Sequence, residues 1–337
     1  MTVPALSELV QDRGQSDLLS ELTQEVSLVE EELAVHLQSQ VESVAAVARH
    51  TLRAGGKRLR PAFVAIGARA SGLEFDPART RRVGASMEMI HMATLIHDDV
   101  IDNSDTRRGR PTAAAVFGNR ASILSGDALL AKATVLLTQD GDADLIRVVC
   151  QAVVDMAEGE VREVETRGKF DLSEADHLEI LRMKTASFIE ACCEAGAIVA
   201  GAGRETRGAL RTYGRNIGLA FQIVDDLLDY RGDRAKTGKP TAKDFREGQA
   251  TLPLIYLRGH LKPNEEESVR SKFGRDVSED ELRMISNWMD SCGAFERCEA
   301  LAEEYAQAAL TAVAVIPDPA SREFLGIVAD YVLKRQI

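Results

Sequence analysis

Apolar residues recur at three- and four-residue spacing almost from end to end of this chain, and runs that alternate apolar with polar are hard to find. That is the period of helices buried on one face, not of strands. Alanine, leucine, glutamate and arginine, all good helix formers, dominate. Prolines such as Pro61, Pro77, Pro111, Pro253 and Pro263 break the pattern, as do turns at Gly55-Gly56, Gly141-Asp142 and Gly201 to Gly203. The spacing predicts helices over 17–38, 40–54, 58–72, 77–104, 112–118, 121–138, 142–167, 173–201, 205–232, 251–261, 263–273, 278–291, 294–314 and 318–334. No linker, low-complexity tract or solenoid repeat interrupts them, so a single all-α domain over 1–337 is expected, with 1–16 as a flexible start. One long irregular segment is expected from Arg231 to Gln249, and such segments often serve as lids or binding loops.

Composition narrows the function classes. With 337 residues, 45% of them hydrophobic, the chain can bury a large core. Its formal charge of −12, from 41 basic and 53 acidic residues, argues against a nucleic-acid surface and lends nothing to an anionic-membrane patch. The five cysteines (Cys150, Cys192, Cys193, Cys292 and Cys298) have no metal-ligand spacing and fit reduced thiols in a cytoplasmic protein. The acidic N-terminus does not read as a secretory signal, and no run reaches the roughly 18 apolar residues of a membrane span. A soluble protein without a transmembrane segment is expected.

Two acidic clusters of one design carry the chemistry: Asp98-Asp99-Val100-Ile101-Asp102 and Asp225-Asp226-Leu227-Leu228-Asp229. Residues four apart stack on one helix face, so Asp98 with Asp102 and Asp225 with Asp229 form carboxylate pairs. Met87, His91, Thr94, Asp98 and Asp102 share a stripe, as do Gly218, Gln222, Asp225 and Asp229. Carboxylates at a helix C-terminus repel one another and oppose the dipole, costs a divalent cation would offset. A solvated helix end explains one such cluster equally well; two with identical spacing favour metal. Magnesium is usually completed by water and substrate phosphates, so a diphosphate held through Mg²⁺ is the expected ligand.

Basic residues stand beside these clusters. Gly55-Gly56-Lys57-Arg58-Leu59-Arg60-Pro61 joins a glycine turn to three cations at a helix start, where backbone N–H groups favour anions. Arg107-Arg108-Gly109-Arg110-Pro111 follows the first aspartates and supplies counter-charge for an anion the carboxylates alone would repel. Lys184-Thr185 and Lys239 are further candidates.

In these segments, together with Leu-Ile-His-Asp-Asp-Val-Ile-Asp (95–102), Lys-Thr-Ala (184–186), Phe-Gln-Ile-Val-Asp-Asp-Leu-Leu-Asp-Tyr (221–230) and Thr-Leu-Pro-Leu-Ile (251–255), the chain resembles the trans-prenyltransferases, the all-trans polyprenyl diphosphate synthases. The resemblance runs from about Leu52 to Tyr331. It implies an isoprenoid synthase fold, long helices around a deep central cavity, as a homodimer. It implies successive head-to-tail condensation of isopentenyl diphosphate onto an allylic diphosphate, with two or three Mg²⁺ ions. Asp98, Asp99 and Asp102 would hold metal on the allylic diphosphate, and Asp225, with Asp226 and Asp229 nearby, would add to it. Arg107, Lys184 and Lys239 would contact that diphosphate, with Thr185 and Gln222 facing the developing cation. Lys57, Arg60, His91 and Arg108 would bind the diphosphate of isopentenyl diphosphate. Two positions depart from the commonest family pattern: Ala242, where many relatives have glycine, and Gln249, where many have lysine.

Product length follows from what stands below the metals. The residues four and five before Asp98 are Thr94 and Ala93, one turn away or roughly 6 Å at 1.5 Å per residue. Family members making short products tend to place an aromatic there. Both are small here, so the floor lies deeper, with Leu136, Leu137 and Val149 as candidates and a long chain, for a quinone side chain, as the expected product. The competing readings are a short-chain synthase making farnesyl or geranylgeranyl diphosphate, a terpene cyclase, and a non-catalytic partner subunit. A cyclase would lack the 55–60 segment, and a silent subunit would have lost part of an aspartate motif; here both motifs are intact.

Overall fold

Helix signals decide where the elements begin. In the computed structural model, which describes residues 17–231 and 242–334, Asp76 accepts a hydrogen bond from the Ala78 N–H at 2.9 Å and Pro77 opens the helix Pro77–Ile101. Proline is tolerated there because the first-turn N–H has no helical partner. Ser173 caps the helix Glu174–Leu181 and Ser278 the helix Glu279–Ser291 with side-chain oxygens in the same way. The described residues are nearly all helical and pack as two compact units.

The first unit draws on 1–150, 191–210 and 315–324. It contains α1 (Asp17–His36), α2 (Glu42–Arg53), α3 (Leu59–Arg69), α4 (Pro77–Ile101), α5 (Ala113–Phe117), α6 (Asn119–Asp140) and the start of α7 (Ala143–Thr166). Helix α4 packs most extensively on α6 and also against α1 and α3. It is buried on nearly every side, by Val83, Met87, Met89, Ile90, Met92, Ala93 and Ile96 among others. The first aspartate cluster therefore sits on the end of a rigid central helix.

The second unit draws on 151–190, 211–314 and the chain beyond 325. It holds the rest of α7, α8 (Glu174–Leu181), a π-helical turn (Arg182–Ala186), the start of α9 (Ser187–Val199), most of α10 (Arg204–Arg231), α11 (Lys243–Glu247), α12 (Leu252–Arg258), α13 (Pro263–Lys272), α14 (Glu279–Ser291), α15 (Ala294–Ala312) and the end of α16 (Pro319–Lys334). Its core gathers Ile180, Leu181, Ile223, Leu227, Phe245, Leu254, Tyr256 and Phe295. Phe273 meets Phe170 and Phe245 edge-on, each with 5.5 Å between centroids.

Three local features differ from the sequence reading. The irregular segment 231–249 contains α11, too short for a periodic signal. The predicted helix 173–201 is interrupted by the π turn, which backbone pattern alone does not announce. The arginine-rich stretch after α4 forms a hairpin, β1 (Thr106–Arg107) with β2 (Arg110–Pro111), turning through Arg108 at φ 53° and Gly109 at φ 72°. Positive φ at both turn positions matches strand twist and aims Arg108 outward from the ladder. One described helix, Asn119–Asp140, is long and apolar enough to cross a membrane by length and composition. Its buried residues include Leu129, Ala133, Leu136 and Leu137, and it packs extensively on α4.

Candidate active site

In the first unit, Asp98 and Asp102 end α4 half-buried, while Asp99 is buried and accepts from Arg107 Nε at 2.7 Å. The hairpin carrying Arg107 is tied down by the Thr112 hydroxyl on the Ser104 carbonyl at 2.8 Å and by Ser104 N–H on the Asp99 carbonyl at 2.9 Å. Asp99 thus orients an arginine beside the other two carboxylates. Arg58 sits at the start of α3 with φ 48° and spends its guanidinium on Glu88 (2.8 Å), Glu30 (2.9 Å) and the Leu52 carbonyl (3.1 Å). That buried ion pair fixes the Gly55–Arg60 turn. Arg60 is left half-buried with a partnerless Nε, and burial pulls its pKa down.

Arg108 donates to the Gly55 carbonyl, and its guanidinium lies close over Gly56, 2.8 Å from where a Cβ would stand. His91 completes the cluster. Burial, and then the positive fields of Arg60, Arg108, Arg107 and Arg58, hold its pKa well below the ordinary 6.5. A neutral imidazole among guanidiniums is a site short of negative charge. Arg60, His91 and Arg108 are thus brought together as expected, next to the turn bearing half-buried Lys57. Of the residues proposed to set product length, Ala93, Leu136, Leu137 and Val149 are buried, and half-buried Thr94 donates its hydroxyl to the His91 carbonyl at 2.9 Å.

In the second unit, Asp225, Asp226, Asp229, Gln222 and Lys184 line one cavity of about 260 Å³, together with Glu163, His177, Asp244 and Gln249. Close backbone packing sets their positions. A Cβ on Gly159 would come within 2.8 Å of the Lys184 nitrogen, and one on Gly218 within 2.6 Å of Ala186 Cα. The π turn carrying Lys184 and Thr185 is therefore pressed between α7 and α10. Lys184 Nζ lies 2.9 Å from Glu160 and also pairs with Glu163; burial opposes its charge, but these two carboxylates outweigh it and raise the pKa. Asp229 accepts from the backbone N–H of Lys243 (3.1 Å) and Asp244 (2.9 Å), which makes it the cap of α11. Asp244 is pushed well above the usual carboxylate range by burial and then by Asp229, Asp226 and Glu163. Lys239 lies outside the described residues.

A cationic cluster beside one aspartate motif, and a lysine beside its twin, is the arrangement of an enzyme that handles diphosphates, and the comparisons agree. The polyprenyl synthetase family model matches residues 41–289. Octaprenyl diphosphate synthase of Escherichia coli is 37% identical, over 91% of this chain and 95% of its own. Heptaprenyl diphosphate synthase component 2 of Geobacillus stearothermophilus is 35% identical, over 94% and 98%. A polyprenyl synthase from Caulobacter crescentus, solved with calcium and isoprenyl diphosphate, superposes with a TM-score of 0.88 at 36% identity, covering 100% of this chain and 98% of that one. The chain belongs to the polyprenyl synthetase family. It is a prenyltransferase of the isoprenoid synthase fold.

As a polyprenyl synthetase it uses a divalent metal with its diphosphate substrates. Among the described residues no three His, Cys, Asp or Glu side chains come close enough to hold an ion unaided. The donor set nevertheless fits a hard cation: burial first, and then neighbouring carboxylates, raise Asp229 and Asp244, and a divalent ion shared with substrate phosphates would offset both costs. Sequence reasoning missed Glu160, Glu163, His177 and Asp244. The only signal for the glutamates was their i, i+3 spacing on α7. Nothing local marked His177 or Asp244.

Proposed function

We propose that this polyprenyl synthetase is a cytoplasmic, Mg²⁺-dependent, long-chain all-trans polyprenyl diphosphate synthase, adding isopentenyl diphosphate repeatedly to an allylic diphosphate for a quinone side chain. The observation that carries the product length is Ala93 with Thr94, two small residues one turn before Asp98 on α4, the first of them fully buried. The long products in the names of the Escherichia coli and Geobacillus relatives support the same reading.

The two aspartate motifs would hold two or three Mg²⁺ ions on the allylic diphosphate, and these supply charge stabilisation to the leaving group. Arg107 and Lys184, with Lys239, place further positive charge there. Lys184 must exchange part of its ion pairing with Glu160 and Glu163 for phosphate oxygens. Arg60, His91 and Arg108, with Lys57, hold the second diphosphate so that its double bond meets the allylic cation, faced by Thr185 and Gln222. A proton is then lost to the released diphosphate. Each five-carbon unit adds about 4 kcal/mol of apolar burial at about 0.8 kcal/mol per carbon, so growth continues until room runs out. Exposed Ile123, Leu124 and Val135 on α6 support a homodimer through that helix.

The test is incubation of the pure protein with farnesyl diphosphate, labelled isopentenyl diphosphate and Mg²⁺, followed by chromatography of the hydrolysed products. Seven to ten isoprene units are expected. A product ending at four units overturns the long-chain reading, and no elongation at all overturns the proposal.

A further inference from the structure

We infer that His177 is a positioning residue for the second aspartate motif, and this rests on the reading of that motif as a metal-diphosphate site. His177 Nε2 and Asp226 Oδ2 are 2.6 Å apart, with side chains 7% and 9% exposed. The contact joins two helices 49 residues apart in the chain and lies on the wall of the acidic cavity. With Nε2 protonated, the ring donates to one oxygen of Asp226 and fixes that carboxylate's rotamer.

Asp229, three residues on, is held in a different way. Asp229 is held by backbone N–H groups at the start of α11. Helix α8, which carries His177, is itself braced. Ser173 caps it, Arg162 pairs with Asp176 at 2.8 Å, and Arg297 pairs with Glu174 at 2.9 Å. Seven residues after His177 the same stretch presents Lys184 to Glu160 and Glu163. One short element therefore sets both a carboxylate of the metal motif and the neighbouring lysine. A ring N–H on a metal-binding carboxylate holds it in its binding rotamer, and loss of such partners typically costs about 10–100-fold in metal affinity.

Purified His177→Phe, which keeps a ring without a donor, and His177→Gln, which restores an N–H, are compared with wild type. The probe is Mn²⁺ binding read by electron paramagnetic resonance in the presence of inorganic pyrophosphate, with thermal unfolding alongside. About 10-fold or greater weakening of Mn²⁺ binding is expected in His177→Phe, with most of it recovered in His177→Gln. In an Asp226→Ala background, His177→Phe should add no further loss. Should His177→Phe fail to fold, the Asp226→Ala cycle is run with His177→Gln and His177→Asn, whose differing reach should grade the Mn²⁺ affinity only while Asp226 is present. Unchanged Mn²⁺ affinity with a lowered melting temperature, or equal losses in both backgrounds, overturns the inference. Because Mn²⁺ binding is read without turnover, its outcome is separate from that of the elongation assay.

Discussion

Arg58 shows how one side chain can be charged, buried and unavailable to substrate. Its 2.8 Å bond to Glu88 and 2.9 Å bond to Glu30 hold the turn in which Arg60 is left with an unpaired nitrogen. Removing one partner of a buried pair strands the other, so Arg58→Met should cost about 3–5 kcal/mol in denaturant unfolding. Ala242 is a smaller case. It lies at φ 53°, where an L side chain costs roughly 1–2 kcal/mol and glycine nothing. Ala242→Gly should therefore stabilise the protein by about 1 kcal/mol, read as a higher chemical midpoint. His91 brings pH dependence. Its folded pKa is depressed, so below about pH 6.5 the unfolded chain binds a proton that the folded one refuses. Stability should fall as pH drops through that value, and His91→Gln should flatten that limb of the profile.

At the scale of elements, the site depends on how closely helices approach. The π turn exists where α7 and α10 close in through Gly159 and Gly218, and a Cβ at 218 would meet Ala186 Cα at 2.6 Å. Backbone cannot yield as a flexible side chain can. Gly218→Ala should lower stability by about 1–3 kcal/mol and displace Lys184 and Thr185, raising the KM for the allylic substrate more than that for isopentenyl diphosphate. Helix α4 offers the complementary case, a rigid rod with two small residues, Ala93 and Thr94, one turn before Asp98. Ala93→Phe or Thr94→Phe should shorten the extracted product by one or more isoprene units, and unchanged product length would refute the reading that the chain grows past these two residues to a deeper floor.

At the scale of the whole molecule, the balance of charge matters. A chain of net charge −12 concentrates Asp225, Asp226, Asp229, Asp244 and Glu163 around one cavity, with Lys184 and Arg167 as cations among them. Repulsion among these carboxylates is a standing cost of the ligand-free state. Mg²⁺ with inorganic pyrophosphate, at about 100 times the dissociation constant, should stabilise the fold by about 2.7 kcal/mol, and chelation should reverse the shift. Pyrophosphate without the metal should give much less, which separates metal bridging from anion binding at the arginines.

Helical period, turn residues and the paired aspartates were legible in the chain because each is a local pattern. The positions of α4, α10 and most other helices follow from them. The basic runs holding Arg60 and Arg108 are local signals too, whereas the roles given to Arg60, His91 and Arg108 followed from the family resemblance. Tertiary packing alone decided the rest. It committed Arg58 to Glu88 and Arg107 to Asp99, turned Asp229 into a helix cap, and brought His177, Glu163 and Asp244 to the second motif. The bonded partners lie eight to forty-nine residues apart along the chain, and their meeting depends on backbone approach and desolvation, which leave no periodic trace in the order of residues.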